Sequence, residues 1–169
     1  MSSLFIPPGH GHSVQIGELG AVFKLSGSHT GGAFSIVEHP MAPGTLGAPP
    51  HTHSNEDELS YILEGEVTVP IREELIQASA GSYVFKPRGI PHAFWNASDR
   101  PARILEFIVP AAFEKYFEEV APAFRADGPP DINHIMQTAS RYGLQMHIEK
   151  LGELAQKYGA PVLGGPAPS

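Results

Sequence analysis

Apolar residues fall in short runs along the first two-thirds of the chain, at residues 20–25, 33–38, 59–63, 67–69, 82–85 and 104–109, each closed by Gly, Pro or a polar cluster. The runs are rich in Val, Ile, Phe and Tyr, whose branched or flat side chains suit a pleated surface. Short strands so closely spaced predict an all-β sandwich or barrel rather than βαβ units. The texture changes after Pro110. Phe113, Tyr116, Phe117 and Val120 stand at i, i+3, i+4 and i+7, the stripe of an amphipathic helix. Asp131 is placed to N-cap a second helix over 132–142 with Gly143 at C′, and a third helix is expected over 147–159. These last two segments match in register (Ile132 with Ile148, Ala139 with Ala155, Tyr142 with Tyr158), which we read as shared helix-cap chemistry, since two copies do not make a repeat array. The expected organisation is a β domain over residues 1–110, with its core at about 14–110, and a helical extension over 111–169. The extension is expected to pack on the barrel or on a dimer partner, with residues 160–169 forming a flexible tail.

Composition narrows the chemistry. The chain has 169 residues, 41% hydrophobic, enough for one domain with a real core. Its net charge of −7, with no basic run, gives no footprint for nucleic acid or an anionic membrane surface. Neither partner is expected. No apolar run approaches the roughly 18 residues of a membrane span, and the first residues lack the charged and apolar regions of a secretion signal, so a cytoplasmic location is expected. Cysteine is absent, which excludes disulfides, thiol nucleophiles and thiolate metal sites. Any metal must be held by His, Asp or Glu.

Nine histidines make that a live question. His51 and His53 flank one residue, and the two-residue period of a strand puts both imidazoles on one face. The run 59–63 starts a strand that can return a carboxylate beside them, and Glu58 at its start is the candidate. A tight turn through Pro87 and Gly89 then precedes a strand opened by His92, which offers a third imidazole. These stretches resemble the two motifs of the cupin superfamily. The first is matched by His51, His53, Glu58 and Gly65, and the second by Gly81, Pro87, Gly89, His92 and Asn96. One departure stands at Thr45, where the family pattern has a leading Gly; this chain has Gly44 and Gly47 instead. The resemblance implies a cupin-type jelly-roll β-barrel with a C-terminal helical extension, and one divalent transition metal (Fe, Mn, Ni, Co, Cu or Zn) on His51, His53, Glu58 and His92. It also implies pairing as a homodimer.

Strand parity adds Ser60 and Ile62 on the face of Glu58, and Phe94 and Asn96 on that of His92, as expected pocket residues around the metal. Tyr61 and Trp95 point the other way, toward an interface or second core layer. Glu106, inside an apolar strand, is expected to face solvent in preference to serving as a pocket base with a raised pKa. Glu56 and Asp57 read as a solvated turn, Arg72 to Glu74 as a hairpin tip, and His10-Gly11-His12 as a mobile terminal loop. His29, His39, His134 and His147 are assigned surface or cap roles. Among single-domain cupins the chain is similar to small bacterial quercetinase-like proteins. That similarity implies a dioxygenase acting on a small aromatic or enolisable substrate, with Glu58 as both ligand and general base and dioxygen as cosubstrate. The alternatives are a metal-dependent decarboxylase or isomerase, and a small-molecule-binding barrel without turnover.

Overall fold

The computed structural model describes residues 5–124 and 128–161. In chain order its elements are β1 (His12–Ile16), β2 (Leu19–Leu25), α1 (Gly27–Thr30), β3 (Ser35–Met41), β4 (Leu46–His53), β5 (Asp57–Glu64), β6 (Glu66–Ile71), β7 (Glu74–Ser79), β8 (Tyr83–Lys86), β9 (His92–Trp95) and β10 (Ala102–Val109). The C-terminal part adds α2 (Glu114–Val120), α3 (Ile132–Arg141), β11 (Leu144–Met146) and α4 (Leu151–Tyr158), with 3₁₀ turns at Ala121–Ala123 and Ile148–Lys150. Two antiparallel sheets, ordered β1-β2-β3-β10-β5-β8 and β11-β4-β9-β6-β7, make the jelly roll.

Alternation builds the interior. In β10, Ala102, Ile104, Glu106 and Ile108 are buried while their neighbours are partly or fully exposed, and β3 and β5 repeat the pattern. Leu19, Met41, Ile62, Val67, Val69, Val84, Phe94 and Ile104 form one core cluster between the sheets. Gly65 and Gly89 stand in turns with φ of 72° and 75°, which a side chain rarely adopts. The hairpin tip is as expected, with Arg72 between β6 and β7 at φ 56°.

The C-terminal part is woven into the barrel rather than laid on it. Phe113, Tyr116, Phe117 and Val120 are buried with Ala21, Val37 and Ile108 of the six-stranded sheet, so the predicted stripe is the docking face of α2. Asp131 caps α3 by accepting from the His134 backbone N–H at 3.0 Å. The third expected helix is shorter than its pattern suggests, because β11 and a 3₁₀ turn take its approach and α4 starts only at Leu151. The missed strand β11 pairs Leu144 with His53 and Met146 with His51, covering the free edge of β4. On the outer face of that sheet Trp95, fully buried, clusters with Ala93 and Ala160, with Leu154 and Tyr158 against them, which is the second core layer parity anticipated. The flexible tail expected from residue 160 lies outside the described residues from 162 onward, and Ala160 itself is buried. The terminal-loop reading of His10 to His12 is corrected. His12 opens β1 opposite Phe23 and lies 3.2 Å from Glu118. Among the described residues no helix is long and apolar enough to cross a membrane.

Candidate metal centre

The end of β4 supplies His51 and His53, the start of β5 supplies Glu58, and the start of β9 supplies His92. One ligand atom from each lies within 4.8 Å of all the others, and all four residues are buried. The ladders impose this convergence, since β9 pairs His51 with His92 and β5 carries Glu58 into the barrel from the opposite sheet. Glu58 Oε1 is 3.4 Å from His53 Nε2, and its Oε2 is 3.4 Å from His92 Nε2. Two of the three far nitrogens are tied down. His51 Nδ1 meets the Pro49 carbonyl at 2.8 Å and His92 Nδ1 the Ile90 carbonyl at 3.0 Å, so the N–H sits on Nδ1 and the Nε2 lone pair points inward. His53 Nδ1 faces the Glu56 carboxylate at 3.5 Å instead. Glu56 is therefore buried behind a ligand, and the solvated-turn reading is corrected for it; Asp57 forms a two-pronged pair with exposed Arg88.

The electrostatics suit a cation. Burial, reinforced by the neighbouring imidazoles, holds His51 neutral well below its usual pKa, and burial likewise lowers His92. Burial pushes Glu58 the other way, but His53, Lys86 and His92 outweigh it and keep the carboxyl ionised. Neutral imidazoles and one carboxylate are the forms a metal requires. His92 Nε2 is buried without a hydrogen-bond partner, an orphan that a bound ion satisfies. A buried His₃Glu set thus fits one divalent metal, with the donor types leaving its identity open.

Behind Glu58 lies a charged group that the sequence reading did not assemble. Lys86 Nζ sits 2.9 Å from Glu58 Oε2 and 2.8 Å from Glu106 Oε2, and Ser60 Oγ donates to that same Glu106 oxygen at 2.9 Å. Burial lowers Lys86, but the two carboxylates outweigh it and raise its pKa. Glu106 is pushed up to about 7, chiefly by burial and then by Glu58, against the pull of Lys86. The expectation that Glu106 faces solvent is overturned: it is 2% exposed, because β10 is an interior strand whose even positions all face the barrel.

A cavity of about 550 Å³ reaches His51, His53, Glu58 and Glu106. Elsewhere its wall is mainly apolar, with Leu19, Phe94, Phe113, Phe117, Ile135 and Leu144 prominent and Gln15, Glu18, His39 and Thr45 as polar exceptions. Of the four expected pocket residues, Phe94 lines this cavity. Ser60 is turned to Glu106, Ile62 is in the core cluster, and the Asn96 amide donates to the carbonyls of Ala42 and Arg100, holding a loop past the end of β9. Parity placed these side chains on the right face but could not say how far along it the cavity extends. His39 was missed as a wall residue. It is fully buried, bonded through Nδ1 to the Gly20 carbonyl at 2.8 Å, and held neutral by burial with a pKa of about 4. Its inward parity in β3, beside Val37 and Met41, is the signal that could have found it.

Barrel, ligand set and cavity together define a β-barrel with a buried His₃Glu set, suited to one divalent metal ion, at a largely apolar cavity. Residues 37–108 match the family model described as Cupin domain, so the chain carries a cupin domain. It is 35% identical over 89 residues to Germin-like protein 5-1 of Oryza sativa subsp. japonica, a match covering 50% of this chain and 39% of that protein. Among solved structures it resembles KdgF from Halomonas sp. (TM-score 0.58, 16% identity, 68% of this chain and 99% of that one). A predicted oxalate decarboxylase from Thermotoga maritima gives 0.58 and 22% identity over 63% of this chain and 99% of that one. An RmlC-like cupin from Shewanella frigidimarina gives 0.55 and 20% over 65% and 93%. At these identities the structural likenesses establish the fold.

Proposed function

We propose that the chain is a cytoplasmic, metal-dependent dioxygenase acting on a small aromatic or enolisable substrate, like the quercetinase-like cupins its motifs resemble. The observation that carries this reading is the cavity, polar where it meets His51, His53 and Glu58 and bearing on the rest of its mainly apolar wall the aromatic rings of Phe94, Phe113, Tyr116, Phe117 and Phe124. Such a wall takes up a flat apolar body, at about 25 cal/mol per Å² removed from water, and leaves its oxygen-bearing end for the ligand cluster. A divalent metal on His51, His53, Glu58 and His92 would supply Lewis acidity toward a substrate oxygen and a place for dioxygen to meet the activated ring. Phe113, whose ring centroid lies 4.4 Å from that of His53 in a T-shaped contact, shields that imidazole from water. Glu58 is the candidate base for the substrate hydroxyl. Lys86 occupies its Oε2, so Oε1 is the atom that takes the proton.

The test is metal content by mass spectrometry on untagged protein purified without added metal, beside His51→Ala/His92→Ala. About one equivalent of a redox-active metal, lost in the variant, together with oxygen uptake on flavonols or other enolisable substrates, supports the reading. Failure to hold metal after reconstitution overturns it. A second reading, non-oxidative decarboxylation or isomerisation, is favoured by one observation: Glu106, pushed up to about 7, can hold or release a proton beside Glu58 near neutral pH. Product formation without oxygen consumption selects it, and tight binding without turnover selects a binding module. We further propose a homodimer through the outer face of the six-stranded sheet, where Tyr83, Phe85 and Val109 are exposed; a monomer by light scattering at micromolar concentration rejects this.

A further inference from the structure

The Glu106 carboxylate is half used. Its Oε2 accepts from both Lys86 Nζ and Ser60 Oγ, whereas its Oε1 is buried without any hydrogen-bond partner, although the residue lines the cavity that also reaches His51, His53 and Glu58. Packing does not explain the arrangement, because a carboxylate oxygen stripped of water and left unpaired is costly, and a Leu on β10 would fill the same space without that cost. The local charge leads to the same point: two buried carboxylates, Glu58 and Glu106, share the one ammonium of Lys86. Phe94, over which Lys86 Nζ lies at 5.3 Å from the ring centroid, walls the same region.

We infer that Glu106 is a substrate-anchoring residue whose Oε1 accepts a hydrogen bond from a second hydroxyl of the substrate, so that the cavity favours aromatic compounds carrying a second donor besides the oxygen presented to the ligand cluster. This rests on the aromatic-substrate reading above and deepens it. A site built around an unfilled buried acceptor rejects the analogue lacking the donor, since that analogue leaves the acceptor unpaired.

The test is equilibrium binding by calorimetry on protein carrying one zinc per chain, which prevents oxidative turnover. It is run at pH 8, where the carboxylate is ionised, and compares resorcinol with phenol. Resorcinol cannot chelate one ion through both oxygens, so a preference for it reports the second contact. The wild type is expected to bind resorcinol about tenfold more tightly than phenol. In Glu106→Gln, which turns an N–H toward the Oε1 position while its oxygen keeps the Lys86 and Ser60 bonds, the ratio is expected to fall to about threefold or less, with phenol affinity and zinc content unchanged. Should that variant fail to fold or hold zinc, Glu106→Asp keeps the charge facing Lys86, withdraws the acceptor by one methylene, and is expected to lower the ratio likewise. A merely structural role would weaken both probes together and leave their ratio intact. Equal binding of the probes by the wild type, or an unchanged ratio in the variants, overturns the inference and spares the aromatic reading; binding of neither probe overturns both.

Discussion

Lys86 is 1% exposed, and at the residue scale the centre depends on it, since this one cation neutralises two carboxylates from different strands. Replacing it with Met leaves Glu58 and Glu106 facing each other with no cation between them. Breaking a buried pair by removing one partner costs about 3–5 kcal/mol, which urea unfolding of Lys86→Met should show. Adding Glu106→Gln should recover part of the loss, because the second unpaired charge is then gone. Glu56 makes a different case. Its carboxylate faces His53 Nδ1 at 3.5 Å, a charge contact without a formed hydrogen bond that would favour an N–H on Nδ1 and leave Nε2 for the ligand cluster, so Glu56→Gln should weaken metal affinity about tenfold in chelator competition with little change in unfolding midpoint. An unchanged affinity would remove Glu56 from the site.

At the element scale, helix starts do much of the positioning. Glu114, at the first turn of α2, accepts from the backbone N–H of Gly27 at 2.8 Å and of Ala112 at 2.6 Å, fastening the helix that carries Phe113 and Phe117 to α1. Burial raises its carboxyl, but these N–H bonds outweigh burial and hold it below the ordinary glutamate value. A depressed carboxyl contributes stability that is present above the unfolded-state pKa, near 4.3, and is lost as pH falls through the folded value. Glu114→Gln should thus be less stable than the wild type by about 1 kcal/mol at pH 7, with the gap closing as the pH drops below about 4 in a pH series of urea melts. Asp131→Ala removes the side-chain acceptor for the His134 N–H at the start of α3 and should cost about 1 kcal/mol.

On the scale of the whole molecule, the C-terminal third is part of the metal centre's scaffold. β11 gives β4 a partner along His51 to His53, the Thr52 hydroxyl meets His147 Nε2 at 2.9 Å, and the Ser54 N–H donates to the Gly143 carbonyl at 3.1 Å. Leu144, 6% exposed and opposite His53, also walls the cavity. Leu144→Ala should cost about 2–3 kcal/mol in stability and speed metal release measured by chelator chase. Release at the wild-type rate would show that β4 holds its ligands without the strand beside it.

Most of the barrel strands, the helix caps, the apolar stripe of α2 and the shared face of His51 and His53 were legible in the chain itself, because each rests on local periodicity or spacing: two residues for the histidines, three and four for Phe113 to Val120, one capping side chain for Asp131; the full candidate ligand set with Glu58 and His92 was legible through the resemblance of its motifs to the cupin pattern. Parity alone put Glu106 and His39 on a face without saying which face was inside, and apolar context misled for Glu106. Pairing across distant segments settled those cases. Only the tertiary structure joined residues 86 and 106 behind Glu58, placed residues 144–146 along the edge of β4, and sent Ser60, Ile62 and Asn96 to partners away from the cavity. The physical reason is that a side chain's direction is set by neighbours on its own strand, whereas its hydrogen bonds, its burial and its protonation depend on charges and walls supplied by strands far away in sequence.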